Sequence, residues 1–397
     1  MNSPIDISQN KALLWLMAIA CGLCAGANYY CQPLIGSIQT DFNIPQADVA
    51  LTVTIAQVSY ALGLLLIVPL GDILNKTKLI PSLMFGAALG LGLCAVSSDI
   101  YMLWFGTLLA GLFSVAAQVL IPLATMAVKP EKTGEVVGLL MSGLLVGILL
   151  STSIAGLLSY LVHWKLIYAI SAGLMLMIAV VLKTQLPYLP RYRMSYGKIL
   201  KSMFVLLKEE PRLVFRAYTG AFAFAAMSIL FSTIAILLSQ SFALSDLIIG
   251  FVTLVGVFGA LSTKKIGQYA DRGYIKTISW IGLSLMAVSW LLLYMGQYQL
   301  MYYIIGFSVI NLGLAAIHSS NQNVIFRLRP DAKSRVNSIY MTLYFIGGAS
   351  GSALGIYAWH HGGWAMSCLA GFILVCFSAF FCGLDQLYQN KKAKTIV

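Results

Sequence analysis

Halfway along, this chain starts again. Lys129-Pro130-Glu131 recurs as Arg329-Pro330-Asp331, His163-Trp164 as Gly363-Trp364, and Gly147 as Gly347, each pair 200 positions apart. Asp72, in Gly71-Asp72-Ile73-Leu74-Asn75-Lys76, is matched at 199 positions by Asp271, in Gly267-Gln268-Tyr269-Ala270-Asp271-Arg272-Gly273. A repeat of this period requires two copies of one bundle, and each copy is filled with apolar runs of ~20 residues. Such a run crosses a hydrocarbon core ~30 Å thick.

The runs place twelve spans near 12–36, 48–71, 79–97, 101–127, 136–161, 165–184, 214–240, 247–263, 277–296, 300–326, 336–358 and 364–385. With 59% hydrophobic and 10% charged residues, and a mean hydropathy of +0.87, a soluble fold of this length could not hide its apolar surface. The expected fold is all-α and polytopic, with lipid as its solvent. The first run follows a single lysine, Lys11, and lacks a small-residue cleavage site, so it reads as a span and not as a signal peptide. Residues 1–184 form one six-helix bundle, 185–213 the one long connection, and 214–397 the second six-helix bundle with a short tail. An even number of spans per copy makes the two copies parallel repeats, a symmetry found in secondary transporters.

The net charge of +12 does not indicate nucleic acid, because of where the charges sit. With the N-terminus in the cytoplasm, Lys165 alone of the 25 Lys and Arg falls on the far side. That is the positive-inside distribution, and it places both termini in the cytoplasm. The basic stretch from Lys198 to Arg212 lies along the anionic inner leaflet. All seven cysteines fall within spans, and Cys21-x-x-Cys24 has no histidine nearby, so no disulfide, metal or other cofactor is expected.

Two six-span halves, with a charged loop after span 2 and its copy after span 8, resemble the major facilitator superfamily over essentially the whole chain. Its loop pattern is Gly-x-x-x-Asp-Arg-x-Gly-Arg. The second copy keeps Gly267, Asp271 and Arg272; the first keeps Asp72 and Lys76 but has Val68 and Ile73 at the usual glycine and arginine positions. Gly138, Gly147 and Gly156 in span 5 follow the glycine pattern of the drug:proton antiporter branch, with Ser151-Thr152 in place of its Gly-Pro step. Asn28-Tyr29-Tyr30-x-Gln32-Pro33 and Ser334 to Gly348 are similar to bacterial drug-efflux members. The resemblance implies a monomer in the bacterial inner membrane that exports small amphipathic compounds by alternating access. It also implies that spans 1, 4, 7 and 10 line the cavity, that Asp72 meets the region of Asn337, and that Asp271 meets the start of span 5 near Gly134. Asp72, Lys76, Asp271 and Arg272 would then be gating residues, with Gly138, Gly147 and Gly156 allowing close packing and sliding.

The acidic residues are informative by their placement. All thirteen fall in loops or at span ends, Asp385 among them, whereas intramembrane carboxylates are the usual proton carriers. The antiporter branch's span-4 arginine is replaced by Thr107. The titratable candidate at membrane depth is His318, in His318-Ser319-Ser320-Asn321-Gln322-Asn323, whose repeat mate is Gln118. Histidine titrates near pH ~6.5, so it is a candidate for proton coupling. The alternative is a neutral ring that acts as polar glue between helices. Asn28, Tyr29, Gln32, Gln57, Gln118, Tyr218, Phe222, Asn311, His318, Asn321 and Gln322 are the candidate substrate-binding set. Amides, hydroxyls and rings without fixed charge suit a neutral or zwitterionic cargo. The competing reading is an uncoupled or proton-coupled carrier of a neutral metabolite such as a sugar or nucleoside. An intramembrane enzyme would need converging catalytic groups, and a lone histidine does not supply them.

Overall fold

The computed structural model describes residues 6–189, 194–244, 252 and 254–396. Among these residues every regular element is helical. Lipid cannot hydrogen-bond the backbone, and a helix satisfies its own N–H and C=O groups. Nine helices among the described residues are long and apolar enough to cross a membrane. One of them, Pro330–Lys392, holds two spans, and shorter helices supply the rest of the twelve-span, all-α fold.

Side-chain caps fix where several helices begin. Asn10 accepts the Leu13 N–H ahead of α1 (Lys11–Gly26), and Asn75 accepts from Thr77 at the start of α4 (Lys76–Ala95). Asp99 accepts the Met102 N–H at 2.9 Å and starts α5 (Ile100–Phe113). The first span is not continuous. α1 ends at Gly26, turns follow, and the chain resumes as α2 (Ile35–Phe42), closed by Asn43 in the left-handed region. α3 (Gln46–Leu66) forms span 2. Span 4 is likewise divided, into α5 and α6 (Ala116–Met126) at Ser114 and Val115. α7 (Thr133–Leu161) and α8 (Lys165–Gln185) complete the first half. Lys165 pairs with Asp41 at 3.6 Å, and Trp164 donates to the same carboxylate.

Part of the connecting stretch forms an amphipathic helix, α9 (Tyr196–Glu209). It buries Ile199, Met203 and Leu206 and exposes Lys198, Lys201 and Lys208. The second half contains α10 (Pro211–Phe242), α11 (Val257–Asp271), α12 (Ile275–Met295), α13 (Leu300–Leu328) and α14 (Lys333–Ile396). The first part of the span expected over 247–263 lies outside the described residues. Within α14, Gly362 and Gly363 leave helical geometry, and the φ of +61° at Gly363 is one that a side chain would resist. Two spans are therefore joined without a loop.

The chain divides into two compact units. The first comprises Met1–Pro130, Leu139–Leu200 and Asp331–Ser338; the second comprises Glu131–Gly138, Lys201–Pro330 and Ile339–Val397. The first turn of α7 thus packs with the second unit, and the first turn of α14 packs with the first. In unit 1, α4 packs on α5 and α8, and α1 on α6 and α8. Gly22 of α1 meets Gly143 and Gly147 of α7 backbone to backbone, so no Cβ fits at Gly147. In unit 2, α13 packs on α10, α11 and α12 around Met227, Leu230, Trp290, Tyr303, Phe307 and Trp364.

Candidate functional site

A helix leaves its first N–H groups without intrahelical acceptors. In unit 1 the buried Asp72 supplies acceptors to α14. It accepts the backbone N–H of Ser334 at 3.0 Å and of Arg335 at 3.2 Å, and the Arg335 Nε–H at 2.9 Å. Both charges of the Asp72–Arg335 pair are nearly inaccessible, at 3% and 6% exposure. Lys76 is buried four residues after Asp72, and Lys333 donates to the Thr125 carbonyl at 2.8 Å. Asn337, in the same first turns, donates to both the backbone and the side-chain oxygen of Gln118. Asp72 therefore meets the first turn of α14, three residues before Asn337.

Unit 2 repeats the arrangement. Asp271 accepts the N–H of Gly134 at 2.8 Å and of Glu135 at 2.9 Å, the positions 200 before Ser334 and Arg335. An adjoining hydrogen bond is repeated with its polarity exchanged. In unit 1 the Ser338 hydroxyl donates to the Leu64 carbonyl, whereas in unit 2 the Thr263 hydroxyl donates to the Gly138 carbonyl. The cation differs as well. Glu135, the repeat mate of Arg335, cannot pair with Asp271 and instead meets Lys132 and Lys264. Arg327 and Asn323 approach Asp271, at 2.7 and 3.1 Å. Arg272 is exposed over the Tyr269 ring, and the arginine that reaches Asp271 is Arg327.

The glycines of α7 also divide. Gly138 lies against the backbone of Thr263 and Lys264, and Gly147 against Gly22. Gly156 has no such neighbour; a Cβ there would reach only Pro33, at an ordinary 3.8 Å. The close packing expected at Gly156 is thus absent, because α1, which α7 touches at Gly147, ends at Gly26 beside Ser151.

The candidate cargo residues fall into separate groups. In unit 1, Asn28 is buried and donates to Ser114 Oγ at 2.9 Å, joining the breaks of spans 1 and 4. Tyr29 is half-buried beside it, and Gln32 is exposed. Gln118 donates to Tyr60 OH at 3.3 Å. Gln57 was expected at buried depth but is exposed, because it lies one position past the buried Ala56 on α3. In unit 2, His318, Asn321 and Gln322 are buried on α13. His318 Nδ1 is 3.0 Å from Tyr340 OH, and its ring packs on Tyr340 and Tyr344. Gln322 donates to Met341 Sδ at 3.6 Å, and Asn311 turns back to the Phe307 carbonyl. Tyr218 and Phe222 do not join the histidine. They stack on Phe377 and Phe381 near the end of α14, because the other face of α10 is taken by the glycines and Tyr340 of its first part.

One charged pair in unit 2 is absent from the candidate set. Arg216 of α10 is 1% exposed and binds Asp385, which is fully buried, with Nη2 at 2.7 Å from Oδ2. Asp385 is a carboxylate inside the bundle and not merely at a span end. The signal available beforehand was the arginine itself, four residues beyond Arg212 on an otherwise apolar helix.

The model of the Major Facilitator Superfamily matches residues 17–352. The chain is 42% identical over 364 residues to a putative uncharacterized transporter, YgaY, of Escherichia coli strain K12, covering 91% of this chain and 92% of that one. Among solved structures, the human organic anion transporter MFSD10 superposes with a TM-score of 0.78 at 16% identity, covering 94% and 99% of the two chains. The proton:xylose symporter XylE superposes with a TM-score of 0.71 at 14% identity, covering 93% and 94%.

Proposed function

The chain belongs to the major facilitator superfamily, and we propose that within it the protein is a secondary transporter that exports small neutral or zwitterionic amphipathic compounds by alternating access, in exchange for protons. The observation that carries this reading is the paired latch. Asp72 and Asp271 each hold the first turn of a helix whose remainder belongs to the other unit. A contact that ties a helix end to the opposite unit in one conformation, and is released in another, biases the exchange between them. The bundles on either side of residues 185–213 move as bodies, Gly138 and Gly147 lie where their helices slide, and the protein acts as a monomer with both termini in the cytoplasm. His318 carries the proton, and Asn28, Tyr29, Gln118, Asn321 and Gln322 contact the cargo.

A second reading, a carrier of a neutral metabolite such as a sugar or nucleoside, is favoured by one observation. Among the described residues no carboxylate lies at the middle of a span, Asp385 being near the end of the last. The fold accommodates such cargo, since one structural neighbour is a proton:xylose symporter. Purified protein in liposomes containing a pH-sensitive dye separates the two. Neutral amphipathic compounds should drive proton movement that His318→Gln abolishes. Compound movement without proton movement would overturn the antiport reading in favour of a facilitator.

A further inference from the structure

Arg216 is, after Trp290, the largest fully buried side chain. Its partner Asp385 is fully satisfied, accepting also from Arg212 Nε at 2.9 Å and from Gln389 Nε2 at 2.9 Å. On its other side Arg216 Nη1 donates to Ser279 Oγ at 2.9 Å and to Asn321 Oδ1 at 3.2 Å. Asn321 Nδ2 is 3.5 Å from Tyr340 OH, which is 3.0 Å from His318 Nδ1. The chain thus runs from a paired cation to the histidine.

The cation sets the direction of this chain. A guanidinium has only donors, so Asn321 turns its oxygen to Arg216 and its NH2 to Tyr340. The phenol oxygen receives that N–H, and the phenol hydrogen is then directed to His318 Nδ1. Nδ1 becomes an acceptor, and the proton of the neutral ring resides on Nε2. We propose that Arg216, held by Asp385, is a positioning residue that sets the Nε2–H tautomer of His318. When Nδ1 gains a proton it must donate to Tyr340, whose oxygen then receives two donors and whose own hydrogen loses its acceptor. Among the described residues, the titratable and charged groups shown to meet His318 directly or through this chain include Tyr340 and Tyr344 from α14, Arg216 with Arg212 from α10, and Asp385 from the end of α14; α12 contributes the Ser279 hydroxyl. The consequence for transport rests on His318 as proton carrier, whereas the tautomer does not.

The test is nitrogen NMR of full-length protein in lipid nanodiscs with 15N-labelled histidine, the His318 signals being those lost in His318→Gln. Neutral His318 should show an unprotonated Nδ1 and a protonated Nε2. The charge-neutral pair Arg216→Gln with Asp385→Asn should release both tautomers, giving signals of a protonated Nδ1 and a protonated Nε2 in the neutral ring. Asn321→Ala leaves the ion pair and the Tyr340–His318 contact in place and should release the tautomer too, which covers the case of a double variant that fails to fold. Arg216→Lys, still a donor-only cation, should keep the wild-type tautomer. A proton on Nδ1 in the neutral wild-type ring, or an unchanged tautomer in Asn321→Ala, overturns the proposal. A transport rate indifferent to His318 would overturn the coupling role alone and leave the tautomer result standing.

Discussion

Asp72→Asn removes one charge while keeping the shape of the side chain, and its effect can be worked from three hydrogen bonds. The carboxylate receives two backbone N–H groups of α14 and the Arg335 Nε–H. A buried charge-assisted bond contributes about 1.5–3 kcal/mol, and a carboxylate at a helix N-terminus about 1–2 kcal/mol when partly buried. An asparagine retains one acceptor and turns an N–H donor towards groups that are themselves donors. A net loss of about 3 kcal/mol is expected, which is a factor of roughly 150 in the opening equilibrium of that turn. The Ser334 and Arg335 amides lie in the first turn of α14, and Asp72 is the acceptor that protects them. Hydrogen–deuterium exchange of peptides over 331–338 in nanodiscs should therefore quicken by about two orders of magnitude in the variant. Exchange within threefold of wild type at Ser334 and Arg335 would refute the latch.

Gly147→Ala forces a methyl into the Gly22 backbone and should cost about 1–3 kcal/mol, whereas Gly156→Ala, which meets Pro33 at an ordinary contact distance, should leave the thermal midpoint in detergent unchanged. Arg216→Ala alone removes the buried partner of Asp385, leaving it Arg212 and Gln389, and should cost about 3 kcal/mol; the double variant Arg216→Gln with Asp385→Asn should recover much of that loss in the same melting assay.

Residues that recur were the ones whose place could be read in advance. Asp72 and Asp271 are 199 positions apart, and the structure gives them the same task at positions 334–335 and 134–135. Hydropathy starts span 11 at 336, whereas α14 begins at Lys333, so the N–H groups that Asp72 accepts, in the region of Asn337, lie in its first turn. Arg216 and Asp385 are 169 residues apart and have no repeated signature. An arginine at a span end also reads as positive-inside topology, which masks a buried partner. The break of span 1 was hidden for a related reason. No charge marks a break across Ala27 to Cys31, whereas Pro33 has no N–H to give the Tyr29 carbonyl and the chain turns ahead of it, with Asn28 reaching Ser114. Periodicity could place Tyr218 and Phe222 on one face of α10, but not choose which part of α14 that face would meet.

The exchanged polarity of the Ser338–Leu64 and Thr263–Gly138 bonds bears on how the two halves have diverged. A duplicated gene at first encodes two interchangeable copies, and these two no longer are. A chain built from the first half twice would set Gly138 against Leu64, with no hydroxyl on either side, and Glu135 beside Asp72, acid against acid. A chain built from the second half twice would bring two hydroxyls to one carbonyl pair and an arginine to each aspartate. Each half has kept what the other discarded, so the duplication is preserved in the spacing while the chemistry has become that of a heterodimer written in one reading frame.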